Sequence, residues 1–451
     1  MGITSLTFLS FFLIVYGVYV FIPSKMRACW LLAASYGFCM SFGTRYALML
    51  LISTAGTWLA GIFIERCQGK SLGRLIVTGV IALHILLLCF FKFDSRNLVL
   101  PVGISFYTFQ AVGYLIDVYE GRVRPEHNVI FFGLFQSFFP KLVQGPIERS
   151  DGFLKQLHSL ENVTLFDLQR IRKGLQLILW GLFEKLMIAD RIAIPVNAVY
   201  KQFWAFGGVE ILLATLLYAF QIYCDFAGYT NMACGIAQLC GIELTENFKR
   251  PYLAISVRDF WRRWHISLSS WLRDYVYIPL GGNRKGKLRK HINMMLTFLV
   301  SGIWHGTGFH FLAWGGMHGM AQILETKLSK APKLLRWFLT FCFIDASWMV
   351  FRVNSLGDLR GMLWVVITDF RLRDPAGMEL GGFEWLLLLL GILLIIGKDI
   401  LNEKGISLRQ QLGRQSWLVR ALIYTALLSG IVILGVYGGA YDTSGFLYTQ
   451  F

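Results

Sequence analysis

The sequence predicts an all-α protein that crosses a membrane many times, and three observations lead to this prediction. The 451 residues are 55% hydrophobic and only 16% charged, with a mean hydropathy of +0.55, whereas about 25% of an average soluble domain is charged. Apolar segments recur along the chain, as at Leu6 to Phe21 and Ala421 to Val436. The basic residues lie in loops beside these segments. At about 17 to 25 residues each, roughly ten to twelve membrane-spanning helices are expected.

The polar segments are short loops, such as Glu120 to Asn128 and Lys398 to Arg414. None is long enough to form a separate soluble domain, so residues 1–451 are expected to make one membrane domain.

The net charge of +16 does not indicate a nucleic-acid-binding protein, because basic loops beside apolar spans follow the positive-inside rule. No charge precedes the first span, Lys25 and Arg27 follow it, and five basic residues precede the last span. Both termini are therefore expected outside the cytoplasm.

The eight cysteines form no CxxC pair and lie mostly in apolar segments. Free buried thiols are expected, with neither a disulfide framework nor a metal site.

Two segments are expected to depart from regular spans. Residues Gly133 to Ser150 contain Pro140, Gly145 and Pro146, which cannot continue a regular helix. Broken backbone at membrane depth must be buried in protein or line a cavity, so a re-entrant or interfacial element is predicted. Residues Leu165 to Lys185 begin amphipathic and are predicted to lie in the membrane interface before the chain enters the bilayer.

Asp225 lies inside an apolar segment that hydropathy predicts to span the membrane. Inserting such a carboxylate costs about 2.5 to 3.5 kcal/mol, which makes it a candidate functional residue. The alternative is an ion pair with an arginine of the central stretch described next. Both interpretations remain open from the sequence.

The stretch from Arg258 to His318 concentrates basic, aromatic and histidine residues in an otherwise apolar chain. His265 and His305 each follow a tryptophan. The neighbouring basic residues are expected to face the cytoplasm, where they could contact anionic lipid or bind an anionic donor such as coenzyme A or an acyl carrier protein. Gly302, Gly306 and Gly308 are expected to loosen the helix around His305 so that a substrate can approach the backbone.

Five segments combine glycine, aromatic, histidine and charged residues in distinctive motifs. They are LPVGISFYTFQAVGYLIDVY, FPKLVQGPIER, QIYCDFAGYTNMACG, WRRWHISLSSWLRDYVYIPLGGNR and SGIWHGTGFHFLAWGGMHG. These segments resemble the membrane-bound O-acyltransferases, particularly the bacterial alginate O-acetyltransferase branch. The resemblance implies a bowl of about 10–12 transmembrane helices with re-entrant and interfacial helices. It also implies that His305, in the WHG motif, is the essential histidine and that His265 is its companion. One departure is Asn231, where relatives commonly have aspartate, so no catalytic role is assigned there.

In the chemistry that this resemblance implies, a hydroxyl attacks an acyl thioester and needs a general base. Neutral imidazole, with a pKa near 6.5, can take that proton. We assign this role to His305, while His265 positions the thioester or donates to its oxyanion. His310 and His318 are interpreted as hydrogen-bonding residues at helix interfaces. Supporting or donor-binding residues are expected at the following positions: Asp225, Arg262, Arg263, Trp304 and Asp274.

The donor is expected to be acetyl-CoA or an acyl carrier protein thioester, with no tightly bound cofactor. The terminal residues resemble a motif of cell-envelope family members, which suggests that Tyr448 accepts the acyl group from the donor and passes it to an outer partner. The aromatic-belt interpretation of Tyr448 also stands. The resemblance implies an SGNH-hydrolase-like acetyltransferase as that partner, a bacterial inner-membrane location, and an exopolysaccharide or other envelope glycan as acceptor.

Three alternatives remain at this point. D-alanyl transfer to teichoic acid is the nearest in chemistry. A transporter or lipid flippase would also use broken helices and intramembrane charges, although no clear inverted repeat is present. An inactive scaffold is the third.

Overall fold

The computed structural model describes residues 1–67, 71–93, 101–325 and 330–437. Within these ranges the regular structure is helical and includes no strand, which confirms the all-α prediction. The chain forms two compact units. The first comprises residues 1–178 and 229–246, and the second comprises residues 179–228 and 247 onward. The expectation of one domain over residues 1–451 stays a prediction.

The helices in chain order are α1 (Leu6–Phe21), α2 (Arg27–Met40), α3 (Thr44–Arg66), α4 (Ser71–Phe93), α5 (Ile104–Tyr119), α6 (Val129–Ser137), α7 (Phe139–Leu142), α8 (Ser150–His158), α9 (Leu168–Leu182), α10 (Asp190–Lys201), α11 (Gly208–Leu239), α12 (Val257–Arg263), α13 (Ile266–Leu272), α14 (Gly286–His305), α15 (Phe309–Leu324), α16 (Lys333–Arg352), α17 (Leu356–Thr368), α18 (Gly382–Glu403), α19 (Leu408–Gly413) and α20 (Trp417–Leu434). Two π-helical segments, Phe183–Ala189 and Arg273–Tyr277, follow α9 and α13.

Five helices in the described ranges are long and apolar enough to cross a membrane: α3, α4, α11, α16 and α20. On α4 the side chains of Leu75 and Leu86 are 69% and 66% exposed. Apolar side chains exposed along a whole helix fit a lipid environment better than water. Fewer helices meet these length and hydropathy criteria than the ten to twelve spans expected, because some apolar segments lie in helices that are shorter or that begin with several charged residues. Helix α5 has 16 residues, and α14 begins with a basic turn.

The first unit has an aromatic core where α1, α2 and α7 meet. The ring centroid of Phe8 lies 5.8 Å from that of Phe38, and Phe11 lies 5.5 Å from Phe139. Helix α6 ends at Ser137, and a new short helix with Pro140 in its first turn begins at Phe139. The predicted interruption within residues 133–150 is therefore confirmed. Proline lacks the N–H group that a continuous helix would need at this point.

The second unit is held by large aromatic side chains of its central helices. The indole of Trp348 lies 5.0 Å from that of Trp264 and 6.2 Å from that of Trp314. These three tryptophans are 1% exposed. Their packing joins α15 and the segment that carries His265 to α16.

Candidate active site

His305 is the last residue of α14, and its side chain is buried. The helix stops there because Gly306 has an extended backbone. Aromatic rings surround the imidazole. Its centroid lies 4.6 Å from Trp304, 5.1 Å from Trp314 and 5.2 Å from Phe351. The last two contacts are edge-to-face, so the ring orientation of His305 is defined by packing.

His265 precedes α13 and is fully buried. Its backbone is in the left-handed region, with φ +43° and ψ +55°, a conformation that few residues other than glycine adopt. The imidazole meets Phe226 edge-to-face at 4.7 Å and lies 6.3 Å from Trp304. His265 therefore sits at a sharp change of chain direction between α12 and α13.

The indole of Trp304 is a neighbour of both histidines. Its ring centroid lies 6.3 Å from that of His265 and 4.6 Å from that of His305, so the two imidazoles are close to each other in space. Residues 40 positions apart in the sequence thus belong to one buried aromatic site.

The glycines near His305 have a different role from the one expected. A Cβ atom on Gly302 would lie 2.4 Å from the Phe311 carbonyl oxygen, and one on Gly306 would lie 2.0 Å from the Phe311 ring. These glycines let α15 pack against α14 at very short distance, and α14 stays helical through Gly302. The prediction that Gly302 loosens this helix is wrong, because the helix continues through Gly302 and α15 fills the space beside it. At Gly306 the helix does end, and the Phe311 ring occupies the space where a Cβ atom would lie.

His318 on α15 has hydrogen bonds at both ring nitrogens. Trp261 Nε1 donates to His318 Nδ1 at 3.1 Å, which leaves Nε2 as the protonated nitrogen that donates to Ser347 Oγ at 3.1 Å. Ser347 Oγ in turn donates to the Ile344 carbonyl at 2.7 Å. The helix-interface interpretation of His318 is confirmed, and this neutral imidazole joins α12, α15 and α16.

Asp225 forms an ion pair with Lys185, which lies outside the central stretch. Lys185 Nζ lies 2.5 Å from Asp225 Oδ1 and 2.8 Å from Asp190 Oδ1, and all three side chains are at most 8% exposed. Sequence reasoning missed Lys185 and Asp190 because the contact joins residues from different helical segments. A lysine inside an otherwise apolar run was the available signal.

The arginines of the central stretch divide into paired and unpaired residues. Arg263 donates to both carboxylate oxygens of Glu403 at 2.9 and 3.1 Å and to Asp259 at 3.0 Å. The hydrogen bonds that Arg263 donates to Glu403 and then to Asp259 raise the pKa of the Arg263 guanidinium above its ordinary value. Arg263 therefore supports the fold of this region. Asp274 pairs with Arg273 at 2.7 Å, which is likewise a local contact.

Other cations of the central stretch are exposed. The side chains that form no ion pair within the described part of the chain include Arg262, Arg284, Lys285, Lys287 and Arg289. The last two lie in the first turn of α14, where the helix dipole adds to their positive potential. These residues can contact an anionic group without breaking an existing ion pair.

Tyr448 lies outside the described residues. Among the other predicted site residues, the structure brings His265, His305 and Trp304 together. Asp225 is in the same compact unit, where it pairs with Lys185.

Residues 122–355 match the model of the MBOAT family, the membrane-bound O-acyltransferases. This match covers the segments that carry both histidines and Trp304, the indole that neighbours both of them. The chain belongs to this family and is a multi-pass membrane O-acyltransferase.

Curated relatives cover most of the chain. A probable alginate O-acetylase AlgI of Pseudomonas aeruginosa is 34% identical over 384 residues, which span 79% of this chain and 73% of the relative. A peptidoglycan O-acetyltransferase of Helicobacter pylori is 34% identical over 387 residues, spanning 74% and 73%. A teichoic acid D-alanyltransferase of Streptococcus thermophilus is 30% identical over 297 residues, spanning 59% and 71%.

Proposed function

We propose that this protein moves an acetyl group from a cytoplasmic thioester, most simply acetyl-CoA, across the bacterial inner membrane for O-acetylation of an exopolysaccharide or other envelope glycan. The observation that carries the proposal is the pair of buried imidazoles, His265 and His305, against the Trp304 indole. The similarity to an alginate O-acetylase and a peptidoglycan O-acetyltransferase supports acetyl as the transferred group.

In the proposed reaction the acceptor hydroxyl attacks the thioester carbonyl carbon. His305 takes the hydroxyl proton as the new C–O bond forms, which contributes a factor of about 10² to 10⁴ to the rate. His265 positions the thioester or donates to the carbonyl oxygen as negative charge develops there. The C–S bond then breaks, and the proton held by His305 passes to the departing thiolate. The surrounding aromatic rings exclude water that would otherwise hydrolyse the thioester.

The exposed cations Arg262, Lys287 and Arg289 are proposed to bind the phosphates of the donor. Positive-inside placement of this basic face puts the donor on the cytoplasmic side and both chain termini outside. Tyr448, in the terminal segment, is proposed to carry the acyl group to an extracytoplasmic SGNH-hydrolase-like acetyltransferase. A phenol is a better leaving group than a sugar hydroxyl, which suits a relay residue.

D-alanyl transfer is the second candidate function, because the chain is also similar to a teichoic acid D-alanyltransferase. The two candidates differ in the donor. Purified protein in lipid nanodiscs would be offered radiolabelled acetyl-CoA or a D-alanyl carrier-protein thioester, and thiol release would be measured. We expect acetyl-CoA to be consumed.

The same thiol-release assay tests the role of His305. His305→Ala should slow acetyl-CoA consumption by a factor of about 10² to 10⁴. His127→Ala, which removes an imidazole that is 65% exposed, is the matched control and should retain the wild-type rate. Consumption of only the D-alanyl thioester would favour the second candidate, and wild-type turnover by His305→Ala would overturn the proposed mechanism.

A further inference from the structure

The backbone conformation of His265 requires support from outside its own helix. A residue other than glycine in the left-handed region costs about 1 to 2 kcal/mol. His265 also occupies the position before the first turn of α13, where a side chain usually accepts a hydrogen bond from the helix N–H groups. The His265 side chain makes no such capping bond. Another group must therefore satisfy the first N–H groups of α13.

Asn247 supplies both acceptors. Its carbonyl oxygen accepts from Ile266 N at 3.0 Å, and its side-chain Oδ1 accepts from Ser267 N at 3.1 Å. These are the first two N–H groups of α13, which have no partner inside the helix. Asn247 thus caps this helix from twenty residues away in the sequence, and the two bonds hold the chain immediately after His265.

A third bond holds the chain before His265. Lys249 N donates to the Arg263 carbonyl at 2.9 Å. Between these bonds, the Phe248 ring packs 5.0 Å from both Phe226 and Trp264. Residues 247–249 are therefore hydrogen-bonded to the chain both before and after His265. The imidazole of His265 remains directed at Phe226 and Trp304 because it is not used to cap α13.

The Asn247 side chain is 1% exposed. Its Oδ1 bond to Ser267 fixes the amide orientation, and its Nδ2 atom has no hydrogen-bond partner within the described ranges. The structure therefore assigns to this side chain one hydrogen-bonding task, which is to accept from the N–H group two residues after His265.

We propose that Asn247 is a positioning residue for acyl transfer and acts through His265. This inference rests on the proposed function, since His265 is placed in that reaction. Displacing a reacting group by about 1 Å can cost a hundredfold in rate. Asn247→Ala removes the side-chain acceptor and should lower kcat for acetyl transfer about tenfold to a hundredfold, with KM for acetyl-CoA changed less than about twofold.

Two comparisons separate this role from general destabilisation. Asn247→Asp keeps an oxygen that can accept from Ser267 N, but its carboxylate is buried. This variant should therefore recover part of the rate that Asn247→Ala loses, and not the full wild-type rate. If Asn247 acts through His265, adding Asn247→Ala to His265→Ala should change the rate by less than about twofold. A purely structural role predicts additive losses.

Thr215→Val is the matched control. It removes a buried hydroxyl and its contact with Tyr200, and it should keep wild-type activity.

A second readout does not depend on turnover. Diethylpyrocarbonate carbethoxylates accessible histidines, and mass spectrometry measures the rate at His265 relative to that at buried His318. This relative rate should rise in Asn247→Ala. It should stay low in Asn247→Asp and Thr215→Val. Unchanged His265 reactivity in Asn247→Ala, or additive losses in the double variant, would overturn the inference. If the wild-type protein transferred no acetyl group, the proposed function would fail while this labelling result would still decide whether Asn247 holds His265.

Discussion

Replacing Lys185 by methionine should destabilise the protein much more than replacing Asp225 by asparagine. One ammonium group faces two carboxylates, Asp225 at 2.5 Å and Asp190 at 2.8 Å, and all three side chains are buried. Lys185→Met leaves two carboxylates without their cation, and breaking a buried pair in this way costs about 3 to 5 kcal/mol. Asp225→Asn leaves the Lys185 and Asp190 pair intact, and the amide oxygen can still accept a hydrogen bond. The expected cost is about 1 kcal/mol.

The difference, about 2 kcal/mol or more, is measurable by thermal unfolding in detergent, followed by size-exclusion fluorescence. Lys155→Met, which breaks an exposed ion pair with Asp151, is the control and should unfold at the wild-type temperature. Equal destabilisation by Lys185→Met and Asp225→Asn would refute this reasoning. An Asp225→Asn protein that is stable but inactive would instead favour a chemical role for Asp225.

Four further predictions follow from the site. Gly302→Ala should lower both Tm and acetyl transfer because its Cβ would overlap the Phe311 carbonyl, whereas Gly316→Ala, which meets nothing within 4 Å, should change neither. His318→Phe leaves the buried Trp261 N–H without its acceptor and should cost about 1 to 3 kcal/mol in stability; an unchanged Tm would contradict this. Arg262→Ala should raise KM for acetyl-CoA, with a smaller effect at high salt, and a salt-independent KM in wild type and variant would argue against phosphate binding there. Tyr448→Phe should abolish acetylation of the envelope polymer, and full acetylation by that variant would exclude the relay.

Local residue patterns were sufficient to predict the fold class and the interruption near Pro140. Proline blocks a continuous helix whatever surrounds it, and apolar composition alone identifies a membrane protein. The two histidines could be singled out because imidazoles beside tryptophans are rare in an apolar chain, and the family resemblance assigned them roles. Trp304 could be named as a site residue, but its contact with both imidazoles could not be predicted from the sequence.

The remaining features depend on contacts between distant segments. The partner of Asp225 is Lys185, in a π-helical turn whose register does not follow from hydrophobic periodicity. From the sequence, Gly302 and Gly306 suggested a flexible helix. Glycine also permits close packing between helices, and only the position of Phe311 shows that it does so here. Asn247 gave no sequence signal as a helix cap because it lies twenty residues from the helix that it caps.

The central claim is that His305 and His265 form one site for acyl transfer across the membrane. It is tested most directly in sealed inside-out vesicles that contain this protein and its native envelope acceptors, with radiolabelled acetyl-CoA supplied only outside. We predict that label accumulates on acceptors inside the vesicles with the wild-type protein and His127→Ala. His305→Ala should give background levels, and His265→Ala should give a low but measurable rate. Transfer by His305→Ala at the wild-type rate would contradict the claim.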